Sequence, residues 1–360
     1  MASAPSGPEP DLPFRFSTPV PPSEILASGT LALLPVRMHS MEDVASTANR
    51  DLKEEWMDAL GKSPSGAAGG SPHGHVATVG VPECLAERMY MCAYIMDFMI
   101  WHDDLTDADR DSVDKSKSIS ARRTLSADLK GGANPTSTSP SPHALQSLES
   151  RMFHRLLALD QPAAAALLHE WELFATYLAE SFTQEFPTLD EYIEHRFYDA
   201  GLPLYYAVSA FGIACLPLTP AEQSLAAPLI SCLGKACALT NDYYSWDKEF
   251  AAHTAAGGHG RVYNCVTWIM EKYSCGINTA RELLKERIHV YETQFEKMWQ
   301  DWEENGVKVK SEDEGKVDVW RVRRYVEAAM FATSGSAYWH ARAPRYKVGD
   351  GIGPQEPRDI

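Results

Sequence analysis

An all-α fold follows from three observations on this chain of 360 residues. Apolar residues recur at helical spacing along most of its length, no stretch alternates apolar and polar residues convincingly, and the Gly/Ser/Pro-rich segments fall between helical stretches. Length alone would suggest about two domains of about 150 residues, but one large helical domain is equally allowed. No internal repeat or linker divides the chain, so one helical domain with loop insertions is expected.

Residues 1–13 are rich in Pro, Ser and Gly and are expected to be disordered. The first helical stretch covers about 41–60. The second runs from Leu85 to Trp101, with Leu85, Met89, Cys92, Met96 and Met99 at helical spacing, and ends in acid. Further helical stretches cover about 145–160, 162–182, 189–215, 221–251, 261–273, 278–304 and 317–340. Segments 61–75, 131–143 and 251–261 are expected to be flexible loops, because their composition buries too little apolar surface to offset ordering. The apolar run Leu202–Leu218, interrupted by Pro203, Ser209 and Pro217, falls short of the about 20 residues a bilayer span needs. It reads as a helix buried on all sides. A tail follows from residue 347.

Thirty-three basic and 49 acidic side chains leave a net charge of −16, which disfavours general binding to nucleic acid or anionic lipid. The seven cysteines are an odd number without a CxxC pair, as expected for buried thiols in a reducing compartment. The start of the chain lacks the basic and apolar regions of a secretory signal, so a cytoplasmic protein is expected. His73, His75 and His259 lie in the loop segments without ligand spacing and are not read as metal ligands.

The acidic cluster Asp103-Asp104-Leu105-Thr106-Asp107 directly follows the apolar stretch. Asp103 and Asp107 are four apart, so on a helix both carboxylates leave one face and can hold a hard cation such as Mg2+. The plain alternative is a solvated acidic helix end, although acid there opposes the macrodipole. Asp107, Asp109 and Asp111 begin like a calcium loop, but Ser112 and Ser118 stand where Gly and Glu are required. His102-Asp103 could instead pair as in a metal phosphohydrolase, with His154, His169 and His195 as further ligands.

A second motif places Asn241, Ser245 and Glu249 at i, i+4 and i+8, an inclined row on one helix face about 80° past two full turns. Three oxygen donors with one formal charge suit a Mg2+ that also takes oxygens from phosphate and water. Lys248 can offer a cation to the same anion.

Together these residues resemble a known family. Asp103-Asp104-x-x-Asp107 looks like the aspartate-rich motif of class I terpene cyclases, and Asn241-x-x-x-Ser245-x-x-x-Glu249 with Lys248 looks like their second metal motif. Arg345-Tyr346 is similar to the pair that closes many microbial members. The region from Phe14-Arg15-Phe16-Ser17 to Pro35-Val36-Arg37 resembles the start of the cyclase half of fungal bifunctional terpene synthases. The resemblance covers 14–346 and implies a class I terpene synthase helical bundle around a deep apolar pocket. It also implies three Mg2+ ions held between the motifs and a substrate diphosphate. Asp103 would bridge metals, Asp107 would be a weaker ligand, and Asn241, Ser245 and Glu249 would chelate the remaining ion. Arg196 resembles the family's diphosphate-sensing arginine, Asp199 its linker, and Ala200 the residue whose carbonyl faces the reacting carbon. Arg345, Tyr346 and Lys248 would bind diphosphate.

The implied reaction ionises a linear polyprenyl diphosphate, with geranylgeranyl diphosphate favoured over geranylfarnesyl diphosphate, and cyclises the cation to a hydrocarbon. Tyr94, Phe98, Phe197, Tyr205, Phe211, Trp246 and Trp339 are the pocket candidates, since aromatic faces stabilise migrating charge. Asp97, buried in an apolar stretch, is either a satisfied acid or the orienter of a ligand. Family members usually carry a prenyltransferase domain after the cyclase, and since nothing after 346 encodes one the chain reads as the cyclase half alone, natural or cut, with that domain expected in a parent protein. A chain-elongating prenyltransferase would want a second aspartate-rich motif where Asn241–Glu249 stands. A helical isoprenoid-binding protein would need neither motif.

Overall fold

The structure, a computed structural model, describes residues 14–64, 69–71, 74–108, 144–180, 186–255, 257–258, 261–309, 313 and 315–347, with the side chains of 105–108 and 178–180 outside that description. The expected segment 131–143 therefore lies outside the described residues. Among those described, twelve α-helices and one short antiparallel pair of strands, β1 (Ser17–Pro19) with β2 (Arg37–His39), make up the fold. The helices are α1 (Pro22–Ser28), α2 (Glu42–Leu60), α3 (Val76–Gly80), α4 (Ala86–Ala108), α5 (Ala144–Leu159) and α6 (Gln161–Glu180). They continue with α7 (Leu189–Asp199), α8 (Leu202–Gly212), α9 (Pro220–Ala255), α10 (Cys265–Tyr273), α11 (Ile277–Asn305) and α12 (Val319–Arg342). A single 3-10 turn, Pro344–Tyr346, follows α12. No described helix is long and apolar enough to cross a membrane.

Helix α9 packs along α11 and α12 and also meets α7, so it is shared by two of the three core clusters. The third cluster joins α2, α4, α5, α6 and α8 around Trp56, Phe98, Phe153 and Trp171. Short α3 is buried at every residue and lies against α12 and α4. Its approach to α12 requires Gly335, where a Cβ would come within 2.0 Å of the Val79 carbonyl oxygen.

The expected helix 189–215 is two helices. A capping box between Thr188 and Glu191 starts α7, and the chain turns at Ala200-Gly201, where Gly201 takes φ +67°. A side chain at Gly201 would be strained in that left-handed conformation and would also press on Phe174. The apolar run beginning at Leu202 is helical to Gly212 and leaves the helix before Cys215. It is buried almost throughout, as its composition predicts.

Asp97 is a satisfied buried acid. It accepts from Asn49 Nδ2 (2.9 Å) and the Gly69 amide (2.7 Å), and pairs with His75 Nε2 (3.0 Å). His75 Nδ1 accepts from the Ala77 amide, so His75 caps α3 through one nitrogen and binds Asp97 through the other. Burial opposes the His75 charge, but Asp97 raises its pKa above the ordinary imidazole value. Gly69 and His75, within a segment whose composition reads as loose, are thus pinned to α4, and Trp339 Nε1 holds the Gly69 carbonyl at 2.8 Å. None of the seven cysteines forms a disulfide.

Candidate functional site

The acidic cluster stands at the end of α4, which continues past Trp101 to Ala108. Trp101 and His102 are buried, Asp103 is exposed, and Asp104 is largely enclosed. One oxygen of Asp104, Oδ1, accepts from both Lys248 Nζ (2.6 Å) and Arg345 Nη2 (2.9 Å). Two segments about 140 residues apart in sequence and the turn after α12 therefore meet at a single carboxylate. Sequence spacing singled out Asp103 and Asp107 as the pair on one face. The structure makes Asp104 the junction, and the side chain of Asp107 lies outside the described residues.

The second motif rides on α9. Asn241 Oδ1 accepts from Arg196 Nη2 (3.2 Å), and its Nδ2 meets His340 Nε2 (3.0 Å). Ser245 and Glu249 are held by one residue beyond the motif: Asn264 Nδ2 reaches Ser245 Oγ (3.3 Å), Glu249 Oε2 (3.0 Å) and the Asp242 carbonyl (3.0 Å). The same Asn264 caps α10 by accepting from the Val266 amide (2.9 Å). Burial, and then the charge of Asp242, raises the Glu249 pKa, although Ser245, Asn264 and Arg196 oppose the shift.

Arg196 is buried and largely engaged. Its Nε and Nη2 donate to Asp242 Oδ1 (2.9 and 2.7 Å), and its Nη1 donates to Asp199 Oδ2 (2.5 Å). Burial would lower its pKa, but Asp242, Asp199 and Tyr192 raise it well above the usual arginine value. Asp242 is fully buried and also accepts from Tyr192 OH (3.1 Å) and the Cys265 amide (2.8 Å). Ala200 lies at the turn between α7 and α8, one residue after Asp199.

Arg345 and Tyr346 close the same region. Burial would lower the Arg345 pKa, yet Tyr346, Asp104 and Asp103 raise it. The Tyr346 phenol is pushed up to about 12 by burial, and its ring stacks on His340 with centroids 4.8 Å apart and 19° between planes. Burial holds His340 neutral, with a pKa lowered to about 4.

The aromatic candidates divide. Tyr205 bonds the Ala332 carbonyl (3.1 Å) between α8 and α12, Trp339 packs on Tyr346, and the Phe197 ring lies on Gly234. Phe98 belongs to the Trp56–Trp171–His102 cluster between α2, α4 and α6. Tyr94 is placed elsewhere: its hydroxyl reaches Glu55 on α2 (3.1 Å) and Arg155 covers its ring. Phe211 packs under Arg88 at the end of α8, and Trp246 stacks on Phe250 while its Nε1 bonds Thr267 on α10 (3.0 Å). Tyr94, Phe98, Tyr205, Phe211 and Trp246 thus each complete an interhelical contact.

The phosphohydrolase alternative fails on placement. His102 is enclosed by Phe98 and Trp171 with Glu149 at 3.8 Å, His154 bonds back to the Ser150 carbonyl, His169 is exposed, and His195 meets Tyr177 and Phe186. Among the described residues no three His, Cys, Asp or Glu side chains are grouped to hold a metal.

In this all-α bundle Lys248 and Arg345 meet on Asp104, so the segment carrying the acidic cluster and the helix carrying the second motif lie together. The family described as terpene synthase family 2, C-terminal metal binding, matches residues 94–294, and the chain belongs to it. It is similar to the bifunctional sesterterpene synthase astC of Talaromyces wortmannii, with 25% identity over 334 residues covering 92% of this chain and 43% of that protein. The bifunctional type I diterpene synthase tndC of Aspergillus flavipes is 26% identical over 337 residues, covering 92% of this chain and 41% of that protein. The chain thus spans under half the length of these relatives. Among solved structures, aristolochene synthase from Penicillium roqueforti shares the fold, with a TM-score of 0.63 and 18% identity over 85% of this chain and 96% of that chain. Germacradien-4-ol synthase from Streptomyces citricolor has a TM-score of 0.62 at 16% identity, covering 87% of this chain and 98% of that one.

Proposed function

We propose that this chain is a Mg2+-dependent cyclase that ionises a linear polyprenyl diphosphate, geranylgeranyl diphosphate in preference to geranylfarnesyl diphosphate, and closes the resulting cation to a polycyclic hydrocarbon with release of diphosphate. The observation that carries this reading is the meeting of Lys248 and Arg345 on Asp104, which joins the segment of the first motif to the helix of the second. The donor set suits a hard cation: carboxylates of Asp103 and Asp107 on one side, and oxygens of Asn241, Ser245 and Glu249 on the other. Glu249 supports the fit by geometry, since Asn264 Nδ2 holds its Oε2 (3.0 Å) and Ser245 Oγ (3.3 Å) from one atom.

Asp103, with Asp107, would hold ions on the α4 side, and Asn241, Ser245 and Glu249 would hold one on the α9 side. When bound, Mg2+ neutralises the diphosphate and makes it a better leaving group. Lys248 and Arg345 exchange Asp104 Oδ1 for diphosphate oxygens, and Tyr346 adds a hydroxyl donor. Arg196, already tied to Asp199 and Asp242, holds Asn241 in place and has little donor capacity left for diphosphate. The Ala200 carbonyl, at the turn before Gly201, would direct negative potential at the carbon that loses its leaving group, as in the family it resembles. Water would quench the cation, so the site must stay dry while substrate is bound. Each aromatic face stabilises a passing positive charge by about 1–2 kcal/mol when desolvated.

The names and lengths of the fungal relatives support a parent protein with a prenyltransferase domain that supplies the substrate. Asn241→Ala and Glu249→Ala test the reading: each abolishes cyclisation and leaves the helical circular dichroism near wild type. Retained turnover in either variant overturns the ligand assignment.

A further inference from the structure

Resting on that reading, we propose that His340 is a positioning residue for the second metal motif. It fixes the Asn241 amide with its oxygen toward the cation site and carries the closing Arg345–Tyr346 segment on the same ring.

The polarity of the contact is set by atoms that have no choice. His340 Nδ1 lies 2.7 Å from the Ser336 carbonyl oxygen, which only accepts, so Nδ1 carries the proton. Nε2 lies 3.0 Å from the Asn241 amide nitrogen, which only donates, so Nε2 accepts there and carries no proton. At the other end of that amide, Oδ1 accepts from Arg196 Nη2, and a guanidinium only donates. The amide is bracketed by an acceptor on its nitrogen side and a donor on its oxygen side. Rotating it by half a turn would set oxygen against the Nε2 lone pair and nitrogen against the Arg196 N–H groups, losing both bonds. Only the amide oxygen can ligate a cation, so this orientation is a condition of metal binding.

The second half of the role is packing. Tyr346 stacks on the His340 ring, and Trp339 meets both rings edge-on with centroids 5.0 and 5.7 Å away. Tyr244, between Asn241 and Ser245 on α9, lies on His340 with centroids 6.2 Å apart. The residue before Tyr346 is Arg345, which holds Asp104. One imidazole thus touches the α9 motif and the segment that reaches the α4 motif.

Two substitutions separate these functions. His340→Phe keeps an aromatic platform and removes the acceptor, whereas His340→Gln restores an acceptor without the ring. Titration of MgCl2 into each protein with inorganic diphosphate present, followed by calorimetry, reads the metal site without turnover. The apparent Mg2+ affinity of His340→Phe falls about 10–100-fold, the range for loss of a partner that orients a metal ligand, while its metal-free melting temperature stays near wild type. His340→Gln recovers most of that affinity. Affinity in His340→Phe within about threefold of wild type overturns the inference, as does a His340→Gln protein weakened as much as His340→Phe. Should the Phe variant not fold, nitrogen-15 NMR of the wild-type histidines decides: an Nδ1–H tautomer for His340 supports the assignment, and an Nε2–H tautomer or an imidazolium overturns it. A wild-type protein that takes up no Mg2+ overturns the cyclase reading and this role with it, whereas binding that survives His340→Phe overturns this role alone.

Discussion

Asp242→Asn removes one charge and almost no volume from the most enclosed part of the site. Asp242 is fully buried and accepts from Arg196 Nε and Nη2, Tyr192 OH and the Cys265 amide. Counted as four charge-assisted bonds at about 1.5–3 kcal/mol each, the loss would reach about 6–12 kcal/mol. That count is too high, because the asparagine oxygen still accepts part of the set and Asp199 still faces Arg196. What remains is the rupture of a buried ion pair, about 3–5 kcal/mol, since the Arg196 charge stays inside with half its compensation gone. Urea unfolding followed by far-ultraviolet circular dichroism, without metal or diphosphate, measures the change. The midpoint should fall at unchanged slope by the equivalent of that loss, and turnover should fall with it because Arg196 also holds Asn241. A loss below about 1 kcal/mol would refute the view that the Arg196–Asp242 pair is the structural base of the second motif.

Asn264→Ala leaves α10 without its cap and Ser245 and Glu249 without their shared donor, so turnover should fall about 10–100-fold, with a stability loss of about 1 kcal/mol, measured by steady-state kinetics and thermal melting. Glu292, buried on α11 with the Leu33 amide on its Oε2, has its carboxyl pKa pushed up to about 8 by burial. The folded protein therefore keeps a proton that the unfolded chain releases above the usual carboxylate range. Stability is full below about pH 4.5 and declines as pH rises through 8, by at most about 5 kcal/mol. Glu292→Gln should flatten that decline in denaturant midpoints between pH 5 and pH 9. Gly335→Ala puts a Cβ within 2.0 Å of the Val79 carbonyl oxygen, so α3 must move from α12 at a cost of about 1–3 kcal/mol, visible in the melting temperature.

The long helices were legible because apolar period and length agree over many turns: α2, α5, α9, α11 and α12 fall within a few residues of their expected ranges. Five-residue α3 is too short to show a period and is recognisable only by its complete burial. The turn at Gly201 was hidden because apolar residues continue on both sides, and only a left-handed φ distinguishes it. At the site, the i, i+4, i+8 spacing predicts one helix face for Asn241, Ser245 and Glu249, and all three lie on α9. It did not reach Asn264, which lies across a loop, or Asp242, whose neighbour in the chain carries the motif while Asp242 itself points at Arg196. Asp104 was overshadowed by the spacing of Asp103 and Asp107, although the adjacent pair of acids was its visible signal. Trp246 shares the helix of the motif but faces α10, a direction that one-residue spacing did not resolve.

The central claim is that the two helix faces act together on a prenyl diphosphate through a bound divalent cation. Incubating the protein with geranylgeranyl and geranylfarnesyl diphosphates, with and without Mg2+, and analysing the organic extract by mass spectrometry tests it most directly. The account predicts a cyclic hydrocarbon from at least one substrate, only when Mg2+ is present. Longer prenyl diphosphates, inorganic phosphate without hydrocarbon, or equal product in the absence of metal would contradict it.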